Sequence, residues 1–332
     1  MVPSERKRAP LNRTITLTDG ERAVFGAQLI RPPLGGSAPT DAIVQADLFE
    51  ILAQLPKAFA DLLILDPPYN LHKRFGSETF REMDLSAYQK WFESWFVQLL
   101  PTLKKSGSIY VCGDWKSSAA LHRVLDQHVK VRNRITWERE KGRGAQHNWK
   151  NASEDIWFGT VSDDYFFDVE AVKLKRKVIA PYKVNGAPKG WQESKDGSFR
   201  LTHPSNLWTD LSVPYWSMRE NTDHPTQKPE KLLAKLILAS TRPAEMVFDP
   251  FLGSGTSAAV ATKLNRHFLG IEMDEDFCCL AAKRVELAKK DSAIQGYSGG
   301  VFWERNSLAE QVRQRDLKTK RETSSVTAHI SI

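Results

Sequence analysis

The run Leu62-Leu63-Ile64-Leu65 stops abruptly at Asp66-Pro67-Pro68, and this junction constrains the fold more than any other stretch of the chain. Four consecutive apolar residues lack the alternation of a half-exposed strand. They suit a parallel strand covered on both faces. The prolines end it, because proline has no N–H for a ladder and restricts the residue before it.

The flanking segments fit such a sheet. A short strand at 43–46 runs into Asp47, and a helical segment follows at about 48–57. Residues 86–103 carry Tyr88, Trp91, Phe92, Trp95, Phe96, Leu99, Leu100 and Leu103 at helical spacing, which predicts a core-facing amphipathic helix. Strands are expected at 108–112, 134–137 and 155–158, and a helix at 116–128. At about 161–222 the pattern breaks up among Pro181, Gly186, Pro188, Gly190, Gly197, Pro204 and Pro214. Alternation then resumes, with helices at 229–240, 256–264 and 274–290 and strands at 246–249 and 267–271. An α/β chain with a mostly parallel sheet and helices on both faces is expected, interrupted by an irregular insert. Ligands of such sheets lie beyond the carboxyl ends of the strands.

Composition narrows the class. At 332 residues and 41% hydrophobic content the chain can bury a substantial core. It has no apolar run of about 18 residues, so no membrane span is expected. The basic start at Met1 is followed by no apolar segment, and three cysteines (Cys112, Cys278, Cys279) make no disulfide framework. A reducing, cytoplasmic setting of bacterial or archaeal type is expected. The eight histidines have no metal-ligand spacing, so no metal is expected. Net charge is +7 with pI about 9.2, which permits a polyanionic partner. Residues 130–150 hold seven basic groups against two acids, with Trp137, His147 and Trp149 interleaved. Arg139, Lys141 and Arg143 are candidate phosphate contacts there; a plain solvated face is the competing reading.

Two turns carry chemistry. The first, Asp249-Pro-Phe-Leu-Gly253-Ser-Gly255-Thr256-Ser-Ala258, follows one strand and opens a helix. Gly253 and Gly255 fit a nucleoside-binding turn, where the backbone bends tightly and a ligand comes close. Glu272 ends the next strand, where an acid can bind ribose hydroxyls. This turn alone leaves a nicotinamide dehydrogenase open.

The second is Asp66-Pro67-Pro68-Tyr69. An exocyclic amine on a nucleobase is a poor nucleophile, because its lone pair is delocalised into the ring. Two acceptors that bind its N–H groups favour a pyramidal nitrogen. The Asp66 carboxylate and the Pro67 carbonyl offer such a pair, held by the stiff Pro67-Pro68 backbone. Tyr69 offers a flat face for stacking. A base within a duplex has to be flipped out to reach such a site.

With these motifs in place, the chain resembles the amino-group DNA methyltransferases of restriction–modification systems, in the β arrangement where the catalytic motif precedes the cofactor loop. The resemblance rests on Asp66-Pro-Pro-Tyr69-Asn70, on Phe251-Leu-Gly-Ser-Gly255-Thr256, on Gly270-Ile-Glu272 and on His224-Pro-Thr-Gln-Lys-Pro229. It covers roughly residues 41–290. It implies a Rossmann-like sheet of seven strands, one of them antiparallel. It implies catalytic roles for Asp66, Pro67, Pro68 and Tyr69. It implies S-adenosylmethionine held by Asp47, Asp66, Asp249, Phe251, Gly253, Ser254, Gly255, Thr256 and Glu272, with Thr226 and Lys228 near the methionine carboxylate.

The domain division expected is an arm at 1–40, a catalytic half at 41–160, a target recognition region at 161–222, a cofactor half at 223–302 and a polar tail at 303–332. The recognition region has nine basic groups against eight acidic ones, and Lys173, Lys175, Arg176 and Lys177 are its candidate DNA contacts. The implied partner is double-stranded DNA, in the company of a cognate restriction endonuclease, and the implied protein is a monomer or homodimer. The aspartate before Pro-Pro-Tyr favours adenine N6 over cytosine N4. RNA, a protein glutamine, or DNA binding without catalysis are the remaining readings.

Overall fold

The structure is a computed structural model and describes residues 9–71, 73–75, 78–139, 146–178, 183–185, 187–188, 190–194, 197–305 and 307. The candidate contacts Lys141 and Arg143 lie outside the described residues.

A central sheet organises the chain. Its strands are β1 (Ala42–Gln45), β2 (Ala60–Leu65), β3 (Leu103–Gly113), β4 (Lys130–Glu138), β5 (Ser153–Thr160), β6 (Leu207–Trp208), β7 (Met246–Asp249) and β8 (His267–Glu272). Their order across the sheet is β1-β8-β7-β2-β3-β5-β4-β6. Only β5 runs antiparallel to its neighbours. The expected seven strands are therefore present with their one antiparallel member. The eighth, β6, is a two-residue edge strand from the insert, pairing Leu207 with Thr136 and Trp208 with Trp137.

All six residues of β2 are buried, because helices cover both faces. The helices are α1 (Asp19–Gly26), α2 (Leu48–Ile51), α3 (Leu85–Leu99), α4 (Ser118–His128), α5 (Glu230–Ser240), α6 (Thr256–Lys263) and α7 (Glu275–Lys290). Alternation along β2 divides its side chains between two cores. Leu63 and Leu65 pack with Phe92, Phe96 and Leu99 of α3. Leu62 and Ile64 pack with Leu232, Leu236 and Val260 of α5 and α6. The aromatic stripe of the predicted helix is thus core, and Asp84 caps that helix by accepting from the backbone of Ser86 and Ala87.

Two regions are more ordered than the sequence pattern implied. The lead-in before residue 41 contains α1, opened by a capping box between Thr18 and Glu21. It is fastened to α7 by Lys283–Glu21 at 2.6 Å and Arg31–Glu275 at 3.1 Å. Ile30 then hydrogen-bonds along the β1 edge through Ile43 and Gln45. The insert, in turn, has a five-stranded sheet of its own: Gln192–Ser194, Gly197–Thr202, Leu174–Lys177, Val301–Trp303 and Tyr297–Ser298, in that order. Its last two strands arrive from beyond α7, and Trp303, placed by the sequence reading in a polar tail, is 2% exposed. Strands of two to six residues leave no period long enough to read, which is why this sheet was not anticipated.

No helix among the described residues is long and apolar enough to cross a membrane. All three cysteines are free and buried.

Candidate active site

The carboxyl ends of the parallel strands converge on one edge of the sheet. β2 delivers Asp66 to it, β7 delivers Asp249 and β8 delivers Glu272. Because β5 runs the other way, it brings its amino end to the same edge, and with it Glu154, paired in register with Trp137 of β4.

Asp66 has both carboxylate oxygens engaged. Tyr69 Oη donates to Oδ1 at 3.0 Å, and Lys228 Nζ donates to Oδ2 at 2.6 Å. Lys228 also donates to Tyr69 Oη at 3.1 Å and stands 3.5 Å from Glu154 Oε2. It lies over the Tyr69 ring, 5.3 Å from its centre. Arg139 closes the group through an ion pair with Glu154. Two cations thus face two carboxylates in a nearly buried cluster. Burial by itself would lower the Lys228 pKa, but Asp66 and Glu154 outweigh it and hold the ammonium charged well beyond its ordinary range. Burial first, then Asp66 and Glu154, raise the Tyr69 pKa, so its hydroxyl stays neutral and donates.

The proline turn is braced from α3 and α4. Tyr88 Oη donates to the Pro68 carbonyl at 3.1 Å. Asn70 exchanges hydrogen bonds with the backbone of Met83, and its own N–H donates to Ser117 Oγ. Asn70 is therefore a buried strut for the loop.

The glycine turn follows β7. Gly253 and Gly255 both hold positive φ, +53° and +78°. A Cβ at Gly255 would fall 2.4 Å from the Ala281 Cβ, and one at Gly253 would fall 3.0 Å from His224 Nε2. Glycine is needed at 255 so that the loop can rest on α7, and at 253 so that it can pass His224. Glu272 supports the same loop: Oε2 accepts from the Gly253 N–H at 2.9 Å and Oε1 from the Asp274 N–H at 2.9 Å. Burial raises its pKa. Asp249 accepts from the Phe251 N–H at 3.0 Å and from Ser257 Oγ at 2.5 Å, and burial pushes its pKa up to about 7. Arg284, fully buried, donates to the Ser254 carbonyl and to Thr256 Oγ1. Thr256 Oγ1 in turn donates to the Lys228 carbonyl at 3.1 Å, linking the glycine turn to the His224–Pro229 segment.

Of the residues expected to hold the cofactor, Asp66, Thr226, Lys228, Asp249, Phe251, Gly253, Ser254 and Thr256 line one cavity. Gly255 turns away from it onto α7, and Glu272 braces the loop through Gly253. Asp47 caps α2 by accepting from the Phe49 N–H, next to Ala46, whose N–H donates to the Glu272 carbonyl. Lys228, expected beside a ligand carboxylate, sits on the protein's own Asp66 and Glu154.

The candidate DNA contacts separate. Arg139 points inward to Glu154 and lies 5.6 Å from the centre of the Trp137 ring. Lys173 pairs with Glu170 at 2.5 Å and Arg176 with Glu304 at 3.0 Å. Lys175 lies over Phe199 and Trp303. Lys177 is exposed, and its backbone N–H bonds Glu304. Sequence reasoning missed Glu154 and Arg284. An acid at the start of the apolar stretch Asp155-Ile-Trp-Phe158 was the one available sign for Glu154. Arg284, on a helix of mixed composition, gave none. Trp137, one of the aromatics interleaved in the basic stretch, is 1% exposed, and its Nε1 has no hydrogen-bond partner among the described residues.

Residues 60–283 match the family model described as DNA methylase, of N6/N4 type. The chain is 31% identical over 269 residues to the DNA adenine methyltransferase YhdJ of Escherichia coli (strain K12), a match covering 78% of this chain and 86% of that one. It is 30% identical over 249 residues to the type II methyltransferase M.BglII of Bacillus subtilis, covering 72% and 67%. Among solved structures, it resembles the cytosine-N4-specific PvuII DNA methyltransferase with a TM-score of 0.56 at 19% identity, covering 75% and 87%. The M1.HpyAVI–SAM complex gives 0.50 at 22%, covering 73% and 98%. At these identities the two structures speak to the fold.

Proposed function

Because the chain belongs to the N6/N4 family of DNA methylases, we propose that it transfers the methyl group of S-adenosylmethionine to the N6 amine of an adenine flipped out of duplex DNA. The observation that carries this reading is that Asp66 and the glycine turn line a single cavity. An acceptor for the amine and a cradle for a nucleoside donor therefore stand side by side.

The residues fit the donor. Gly253, pressed against His224, leaves room there for backbone alone, and the Glu272 carboxylate fixes the height of the loop from below. Phe251 adds an apolar wall, its ring against Trp95. When bound, S-adenosylmethionine supplies an electrophilic methyl group whose former bonding pair stays with sulfur.

The chain's own part is to prepare the amine. Asp66 accepts one N–H, and the Pro67 carbonyl accepts the other. Tyr88 steadies this turn through Pro68. Tyr69 stacks on the base, which compensates part of the few kcal/mol spent on flipping. Asp66 then stands where the amine's surplus proton has to leave. The insert around Leu174–Lys177 is the target recognition region, with Arg176 and Lys177 exposed on its surface.

The aspartate in the motif and the 31% identity to an adenine methyltransferase favour adenine over cytosine. The test is to incubate the protein with methyl-labelled S-adenosylmethionine and unmethylated genomic DNA, digest to nucleosides and identify the product by mass spectrometry. N6-methyladenine is expected. N4-methylcytosine would overturn the choice of base, and unlabelled DNA would overturn the reaction.

A further inference from the structure

Both oxygens of Asp66 carry a hydrogen bond, from Tyr69 Oη and from Lys228 Nζ. Each carboxylate oxygen keeps a second lone pair, so an incoming amine that binds Asp66 shares the carboxylate with one of these donors. Lys228 is the partner whose presence is most costly to the reaction. A nitrogen that takes a methyl group gains positive charge, and an ammonium beside it opposes that charge in a water-poor site.

Among the described residues, Glu154 is the second carboxylate within reach of Lys228. Glu154 Oε2 is buried, has no hydrogen-bond partner among the described residues, and lies 3.5 Å from Nζ. The other Glu154 oxygen is held by Arg139, so the carboxylate is anchored and cannot follow Lys228 towards Asp66. Glu154 reaches this spot because β5 is antiparallel and begins at the edge where the parallel strands end. The Lys228 backbone is meanwhile pinned through its carbonyl by Thr256. A swing of the side chain between two fixed carboxylates is the movement this arrangement permits.

We propose that Glu154 is a positioning residue that draws Lys228 off Asp66 when the target amine enters, so that Lys228 is a latch on the catalytic carboxylate and Glu154 is its catch. The inference rests on the methyl-transfer reading above. It assigns no contact between Glu154 and the base.

The test is a double-mutant cycle on kcat, using Glu154→Gln, Lys228→Met and the two combined, with thermal melting and cofactor affinity measured alongside. Glu154→Gln is expected to lower kcat by about tenfold or more, because the latch stays on Asp66, while cofactor affinity is unchanged. In the Lys228→Met background the same change should have no further effect, since nothing is left to draw away. An equal loss in both backgrounds would overturn the proposal and make Glu154 a structural support for Arg139. Wild-type kcat in Glu154→Gln would overturn it as well. If Glu154→Gln melts below the assay temperature, Glu154→Asp keeps the charge but shortens its reach, and the same non-additivity with Lys228→Met is required. Failure of the parent reading is distinct: in that case the wild-type protein itself labels no DNA.

Discussion

Lys228 Nζ and Asp66 Oδ2 lie 2.6 Å apart although 162 residues separate them in the chain. The contact joins the turn after β2 to the segment that leads into α5, at the cavity that both line. Asp66→Ala removes the acceptor for the amine while leaving Lys228 a partner in Glu154. Methyl transfer is expected to fall by about 100- to 10,000-fold, with cofactor binding retained in a calorimetric titration. Near-normal turnover in this variant would remove Asp66 from the mechanism.

The two glycines of the turn after β7 differ in what they tolerate. Gly255→Ala meets both a positive φ and the Ala281 backbone. It should cost about 2–4 kcal/mol in urea unfolding. Gly253→Ala faces a movable histidine side chain and should cost about 1–2 kcal/mol, while weakening cofactor binding more than its stability loss implies. Equal unfolding midpoints for the two variants would contradict this account of the turn.

Asp249 links stability to pH. Its folded pKa, about 7, lies above the usual carboxylate value of about 3.9 in an unfolded chain. The folded state therefore holds a proton that the unfolded state has released. The stabilisation is complete below about pH 4 and is lost as pH rises through about 7. Between pH 5.5 and 7.5 the wild-type protein should lose on the order of 2 kcal/mol from this group. Burial and the Glu230 carboxylate raise the Glu220 pKa, which acts in the same direction. Asp249→Asn should flatten the dependence of Tm on pH in that interval; an unchanged slope would assign it elsewhere.

Asp210 binds two lysines of α5, Lys231 at 2.7 Å and Lys235 at 2.6 Å, all three of them buried. Asp210 belongs to the insert, so the triad seats the insert on the central sheet. Asp210→Ala takes the carboxylate from two buried lysines, of which Lys231 keeps the backbone carbonyls of residue 210 and Trp303, and should destabilise the protein by about 3–5 kcal/mol. A Tm within a degree of wild type would mean that water replaces the carboxylate.

The basic candidates divide into two kinds. Lys177→Ala should weaken DNA binding across sequences and reduce the salt dependence of the affinity by about one phosphate contact. Arg139→Ala should leave that salt dependence intact and instead lower turnover, because Arg139 anchors Glu154. Fluorescence anisotropy at several salt concentrations distinguishes the two.

The sequence alone was sufficient to place the strand ends that carry Asp66, Asp249 and Glu272. A doubly covered strand demands a continuous apolar run, and a tight nucleoside turn demands glycine, and both demands are met within a few neighbouring residues. It also ordered the strands and helices of the core closely enough to predict the sheet and its single antiparallel member through a family resemblance. What it could not supply is which polar groups meet. The pairing of Lys228 with Asp66, the arrival of Glu154 on the reversed strand, the burial of Arg284 under the glycine turn and the return of Val301–Trp303 to complete the insert's sheet were decided by the tertiary structure. Such charges and short strands have no local period. A buried charge is tolerated only where the fold brings an opposite one to it, and that choice is made between segments far apart in the chain.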